Sequence, residues 1–212
     1  MPDTTRSNPE ADLAFLRSVI SGGGPHPHMG MGVAYLAGGL LYGFECLFHV
    51  GQILGWIRWS ALPSLIFVAA ITVVMIAVLV WVARMDRQFA KPGPIVARTM
   101  NAAFTATGMV NLAVIIIFGV GSARDQDFAV WLYYPAMVFA LQAAAWWVAW
   151  CLRRKVWMLA TAIGGWATAV ALGVLVREPL AYLAVCTAAL FGLFAAPGWI
   201  MLRASLEARR IA

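Results

Sequence analysis

The chain has 212 residues, of which 63% are hydrophobic and only 11% are charged, whereas soluble domains carry about 25% charged residues. Several apolar runs exceed the roughly 18 residues that mark a membrane span, which excludes an ordinary soluble enzyme or binding domain. A net charge of +6 would suit nucleic acid, but the basic residues cluster in short loops beside the apolar runs, where they report membrane orientation. We therefore predict an all-α polytopic membrane protein without a nucleic-acid partner.

The polar stretch at residues 1–28 is predicted to be a cytosolic tail. Ser7 and Glu10 fit a capping box, which would begin an amphipathic helix over residues 8–21. The glycines at 22–24 would end that helix. An amphipathic helix before a span lies on the lipid headgroups, packs under the bundle, or binds a partner. The sequence thus predicts a surface on which a cytosolic protein could dock.

Residues 29–212 are predicted to form one domain, a bundle of six transmembrane helices. The approximate spans are 29–57, 62–83, 99–121, 128–151, 156–176 and 179–202. The first span is rich in glycine, and its Gly39 and Gly43 form a GxxxG motif that permits close helix packing inside the bundle or in a homodimer. The second span is almost entirely aliphatic, which is typical of a helix that faces lipid.

Aromatic and small residues predict further features of the later spans. Trp146, Trp147 and Trp150 end the fourth span, where an aromatic belt at the membrane interface is expected. A stripe of small residues around Gly165 predicts close packing of the fifth span. Pro197, followed by glycine, predicts a kink near the end of the sixth span.

The distribution of basic residues predicts the orientation. With the N-terminus in the cytosol and six spans, only Arg58, Arg124 and Arg177 of the fifteen Lys and Arg residues lie on the opposite side, which leaves twelve on the cytosolic side. The positive-inside rule then favours both termini in the cytosol. We predict a multi-pass protein of a bacterial-type inner membrane, the lipid bilayer being its first partner.

The outstanding candidate for a functional site is Glu45, the only acidic residue inside a long apolar run. A carboxylate in hydrocarbon costs roughly 2.5–3.5 kcal/mol on insertion scales, so it faces the bundle interior and is a functional candidate by default. On a helix, Tyr42, Glu45, His49 and Gln52 fall within a stripe roughly 80° wide. Glu45 and His49, spaced i,i+4, could share a proton or hold a hydrogen-bonding or cationic ligand.

Three polar residues of other spans are expected to complete this site. Asn101 and Thr105 share one face of the third span, and Gln142 lies in the middle of the fourth. Asn111 is rotated from the Asn101 face by roughly 80–120° and is not included. In a purely structural alternative, Glu45 is protonated or paired with His49 and merely links the first span to the third or fourth through these residues.

No cofactor, metal or catalytic machinery is predicted. Cys46 points roughly 60° away from His49, so a metal site is disfavoured, and no nucleotide-binding or hydrolase motif occurs. Haem would need axial ligands at matching depth, and retinal would need a lysine within a span, which Lys91 and Lys155 are not. The cysteines are interpreted as reduced, small apolar residues, and the sequence favours a protein that is not an enzyme.

Two functions remain open at this point. The first is a binding and regulatory module that senses a small or lipophilic ligand at the Glu45/His49 stripe and signals to a cytosolic partner through residues 8–21. The second is a small transporter or channel, coupled to protons and dimeric, in which Glu45 is the carrier and Asn101, Thr105 and Gln142 line the path.

Overall fold

A computed structural model describes residues 29–88 and 95–211. Helices account for 91% of this part of the chain, which contains no strand, and six helices are long and apolar enough to cross a membrane. The prediction of an all-α, multi-pass membrane protein is therefore confirmed. The predicted amphipathic helix at 8–21 lies outside the described residues.

Seven α-helices and one π-helical segment follow one another along the chain. They are α1 Met29–Ile53, α2 Ala61–Gln88, α3 Ile95–Asp125, α4 Phe128–Arg153, α5 Val156–Val174, α6 Pro179–Ala189, the π segment Leu190–Ala195, and α7 Ala196–Ile211. The last three elements are continuous and together form the sixth span, Pro179–Glu207.

The helices form an open arc. Helix α1 packs against α2 on one side and against α6, the π segment and α7 on the other, and the arc continues through α5 and α4 to α3. Over the described ranges, no Cα atom of α2 lies within 8 Å of a Cα atom of α3. Helix α2 packs only against α1 there, and its outer surface is largely exposed, as expected for a helix that faces lipid.

Helix α1 ends at Ile53, earlier than the predicted limit of its span at residue 57. Gly55 adopts φ +74°, a conformation that glycine adopts at no steric cost. The Trp56 N–H bonds the Gly51 carbonyl at 2.9 Å and the Gly55 N–H bonds the Gln52 carbonyl at 3.1 Å. This is a Schellman motif, in which a left-handed glycine satisfies the last carbonyl groups of a helix.

Glycines of α1 allow close contact with the sixth span. A Cβ atom added at Gly39 would lie 2.3 Å from the backbone nitrogen of Ala195, and one at Gly198 would lie 2.3 Å from that of Leu36. The predicted close packing of this face within the bundle is confirmed. A homodimer, which stays a prediction, would need another face.

The aromatic belt predicted at the end of α4 is wrong for Trp146, which is only 1% exposed. Its indole packs at ring-centroid distances of 5.3 Å from Tyr35, 5.1 Å from Phe104 and 5.3 Å from Trp157. The end of α4 lies between α3 and α5, so one side of this aromatic run must face the core. Trp147, on the next position of the helix, is 38% exposed.

The sixth span is interrupted just before Pro197. Proline has no N–H to bond the carbonyl at i−4, here that of Leu193. The chain responds with the π segment, in which the Ala196 N–H bonds the Phe191 carbonyl, five residues earlier. π-Helical turns within α-helices are frequent at functional sites.

Candidate ligand-binding site

Helices α1 and α4 face each other across the bundle without backbone contact, since none of their described Cα atoms approach within 8 Å. Long side chains bridge this space. At one end, the Tyr35 hydroxyl donates a hydrogen bond to Oε1 of Gln142, and the Tyr35 ring stacks on Phe194 with centroids 5.2 Å apart. Met100 of α3 is buried in the same cluster with Trp146. This end of the space is therefore closed by packed side chains.

Glu45 lies farther along α1, about 15 Å from Tyr35 at the helical rise of roughly 1.5 Å per residue. Its side chain is partly buried, and its Oε2 atom is buried without a hydrogen-bond partner. Tyr42 lies one helical turn before Glu45 on α1, and the sulfur of Cys186 on α6 is 3.7 Å from that of Cys46, the residue after Glu45. A buried acceptor without a donor is costly, because it has lost its hydrogen bonds to water.

The opposite wall carries a second buried acceptor. The Asn111 amide of α3 donates a hydrogen bond to the Tyr134 hydroxyl of α4 at 3.3 Å, whereas its Oδ1 atom is buried without a partner. Tyr42 of α1 lies near both Glu45 and Tyr134, which places the Asn111–Tyr134 pair on the side of the bundle that Glu45 faces. Tyr42, Glu45, Asn111 and Tyr134 are called the polar cluster below.

An irregularity in α4 accompanies the polar cluster. Pro135 lies inside α4, directly after Tyr134, and cannot donate a backbone hydrogen bond to the preceding turn. The Tyr182 hydroxyl donates a 2.7 Å hydrogen bond to the Leu132 carbonyl in that turn. Tyr182 is itself buried in the core between α4, α5 and α6. A tyrosine of α6 thus stabilises the disturbed turn that presents Tyr134.

His49 and Gln52 form a different connection. His49 Nδ1 and Gln52 Oε1 are 2.9 Å apart, and Gln52 Nε2 donates a 2.7 Å hydrogen bond to Ser64 Oγ on α2. Ser64 Oγ in turn donates to the Ser60 carbonyl. No ion pair joins Glu45 to His49 in the described part of the chain. The interaction expected from their i,i+4 spacing is absent because His49 is held by Gln52, which α2 anchors.

The other predicted site residues do not reach Glu45. Asn101 and Thr105 are exposed on the outer face of α3, so the predicted inward face of α3 is not the observed one. Gln142 bonds Tyr35 in the closed end instead. Of the predicted site residues, Tyr42 therefore lies near Glu45, whereas His49 and Gln52 lie at the contact with α2. On α3, the inward-facing asparagine is Asn111 and not Asn101.

Asn111 and Tyr134 are the members that sequence reasoning missed. Asn111 shares helical spacing with Met100, Phe104 and Val114, which all face inward in the structure, but the sequence offered no signal for that face, because apolar residues cover every side of α3. For Tyr134, the signal was the proline that follows it within a span. Polar residues beside a break in a transmembrane helix are candidates for ligand contact.

The arrangement supplies hydrogen-bonding groups and one carboxyl group. In the described ranges, no three His, Cys, Asp or Glu side chains come together as metal ligands. A carboxyl oxygen and an amide oxygen are free to accept hydrogen bonds; the phenol of Tyr134 is bonded to the Asn111 amide, and Tyr42 lies one helical turn before Glu45 on α1. Such a site fits a ligand that carries hydrogen-bond donors or a cationic group.

Comparisons with known proteins give no further assignment: no protein-family model, no curated protein and no solved structure matches the chain.

Proposed function

We propose that the protein is an integral-membrane binding and regulatory module that takes up a small lipophilic ligand at the polar cluster. The observation that carries this proposal is the pair of buried acceptors without donors, Glu45 Oε2 and Asn111 Oδ1. They belong to opposite walls: Tyr134 accepts a hydrogen bond from Asn111, and Tyr42 lies near both Glu45 and Tyr134. A polar group left unsatisfied in hydrocarbon costs several kcal/mol, so a ligand that donates to both oxygens would recover that free energy.

Access from the bilayer supports a lipophilic ligand. The two ends of the arc, α2 and α3, make no backbone contact over the described residues. A molecule dissolved in the membrane could therefore enter sideways between them. The far end is closed by Tyr35, Met100 and Trp146, which favours a site with one entrance over a continuous channel.

The regulatory part of the proposal follows from the position of α1. Glu45 and the closed end at Tyr35 belong to the same helix, which begins at Met29 directly after the predicted tail. With the N-terminus in the cytosol of a bacterial-type inner membrane, a shift of α1 on ligand binding would move residues 8–21. That helix would then bind or release a cytosolic protein.

The binding proposal is tested by mass spectrometry of intact protein released from its native membrane. We expect the wild type to retain a discrete small molecule. Glu45→Gln should weaken retention about tenfold or more, since a hydrogen bond to a charged group contributes about 1.5–3 kcal/mol, and Asn111→Leu should weaken it several-fold, since a neutral hydrogen bond contributes about 0.5–1.5 kcal/mol. Asn101→Leu is the matched control, with the same substitution on the outer face of α3, and should retain the ligand. Equal retention by all four proteins would refute the site.

The regulatory proposal is tested by complementation of a deletion strain. Glu45→Gln and removal of residues 1–24 should each fail to restore the phenotype. If both variants restored it completely, signalling from Glu45 through the tail would be ruled out. Reporter fusions to each terminus would test the orientation at the same time.

A proton-coupled transporter is the second candidate, favoured by the breaks in α4 at Pro135 and in the sixth span at Leu190–Ala195. Transporters often bind their substrates at interrupted helices near the middle of the membrane. Reconstituted vesicles should then show a proton flux that Glu45→Gln abolishes. A flux that is absent, or unchanged by Glu45→Gln, would eliminate this candidate.

A further inference from the structure

Two cysteines of different helices meet beside the polar cluster. Cys46 directly follows Glu45 on α1, and its sulfur lies 3.7 Å from the sulfur of Cys186 on α6. A disulfide has a sulfur–sulfur distance of about 2.05 Å, so a closure of roughly 1.7 Å is needed. The backbones of α1 and α6 are already in contact. Side-chain rotation is therefore the main movement that bond formation requires.

We infer that Cys46 and Cys186 are a reversible disulfide site for lipid-soluble two-electron oxidants. Both are free thiols in this structure, Cys186 being 5% exposed and Cys46 only partly buried. Cys46 therefore presents the sulfur that an oxidant reaches first, and Cys186 is the resolving thiol. This inference does not depend on the proposed ligand, because it requires only the two sulfur atoms.

The position of the pair selects the class of oxidant. Cys46 lies about 10 Å along the helix from the end of α1 at Ile53, by the helical rise of roughly 1.5 Å per residue. Since the ends of span α1 must reach the interfaces, the pair lies within the hydrocarbon region. A neutral quinone can dissolve there, whereas charged glutathione disulfide cannot enter without a large desolvation cost.

The chemistry balances with a quinone as oxidant. Each thiol gives up one proton and one electron, one sulfur–sulfur bond forms, and the quinone takes both electrons and both protons to become the hydroquinone. A dithiol reductant reverses the reaction by thiol–disulfide exchange, through a mixed disulfide.

Oxidation would link α1 covalently to α6 one turn before the π segment. Cys186 lies at the junction with the π segment, where the Leu190 N–H is shared between the carbonyls of Cys186 and Thr187. At the α1 end of the proposed disulfide, Cys46 directly follows Glu45. The disulfide would therefore fix the wall that carries Glu45 against the irregular part of the sixth span.

The test uses the full chain with Cys151→Ser, which removes the exposed third cysteine, in lipid nanodiscs. The probe is 4,4′-dithiodipyridine, a neutral disulfide. Attack by Cys46 releases one pyridinethione and leaves a mixed disulfide, and attack by Cys186 on that sulfur releases the second. We expect two pyridinethiones per protein and a mass lower by two hydrogens. Additional Cys186→Ser should instead leave one adduct at Cys46, whereas additional Cys46→Ser should leave the buried Cys186 largely unmodified.

Three outcomes would overturn the inference. The first is a protein that carries two pyridylthio adducts, because the sulfurs then cannot close. The second is a pair that stays fully reduced under conditions that modify Cys151 of the wild type. The third is oxidation by glutathione disulfide as fast as by the neutral probe, which would mean access from water instead of lipid.

Discussion

The Asn111 amide donates to the Tyr134 hydroxyl at 3.3 Å while its own Oδ1 atom remains buried and unpartnered. This half-satisfied residue distinguishes the site from ordinary interhelical hydrogen bonding, in which both ends of the amide find partners. On α1, Glu45 Oε2 is likewise buried without a hydrogen-bond partner. A bound molecule that donates hydrogen bonds would satisfy such acceptors.

Asn111→Leu is expected to separate stability from binding. Loss of the bond to Tyr134 should cost only about 0.6 kcal/mol, the average for hydrogen bonds between membrane helices, and removal of the unsatisfied oxygen offsets part of that cost. The unfolding midpoint in mixed detergent should therefore barely change, although ligand retention falls. A large loss of stability would mean that Asn111 is chiefly structural.

Gly39→Ala should destabilise the bundle by about 1–3 kcal/mol, as overpacking does in protein cores. The new Cβ atom would lie 2.3 Å from the backbone nitrogen of Ala195, so α1 and the sixth span would have to separate. Gly108→Ala on α3 is the control, because nothing lies within 4 Å of its added Cβ. The measurement is the free energy of unfolding of each variant. Equal values for Gly39→Ala and Gly108→Ala would contradict the close contact between Gly39 and Ala195.

Trp146→Ala should cost about 3–5 kcal/mol, the usual price of truncating a buried aromatic residue. Trp146 is 1% exposed, whereas Trp147 is 38% exposed, so Trp147→Ala should cost clearly less. The comparison is made by chemical unfolding in detergent. The opposite order would restore the interfacial belt that the sequence suggested for Trp146.

Tyr182→Phe should destabilise the protein by about 0.5–1.5 kcal/mol, because it removes the buried hydrogen bond from the Tyr182 hydroxyl to the Leu132 carbonyl near Pro135. Tyr133→Phe removes a hydroxyl from an exposed side chain of the same disturbed helix and should be nearly neutral. Thermal unfolding of both variants tests whether the turn before Pro135 depends on Tyr182. A neutral Tyr182→Phe would show that it does not.

Much of the fold was predictable because membrane spans are read from length and hydropathy alone. The six spans and the glycine contact of α1 required no knowledge of tertiary structure. The early end of α1 was also within reach, since Gly55 adopts the left-handed conformation that commonly ends helices. The sequence prediction extended the span past Gly55 because apolar residues lie on both sides of this glycine.

The site was only partly predictable because apolar residues cover every face of a lipid-embedded helix. Hydrophobic periodicity therefore does not identify the inward side of α3, and choosing the face with more polar residues selected Asn101 and Thr105. The observed inward face carries Asn111. Sequence spacing also cannot tell which of two neighbours His49 prefers, because Gln52 is held from α2 by Ser64.

The most direct test is photo-crosslinking in native membranes with a photoreactive phenylalanine analogue at Tyr42. The control places the same analogue at Val110, an exposed position of α3 next to Asn111 along the chain. We expect one discrete adduct at position 42 that disappears with Glu45→Gln, and a mixture of bulk lipids at position 110. The same lipid mixture at both positions, unaffected by Glu45→Gln, would contradict a ligand site at Glu45.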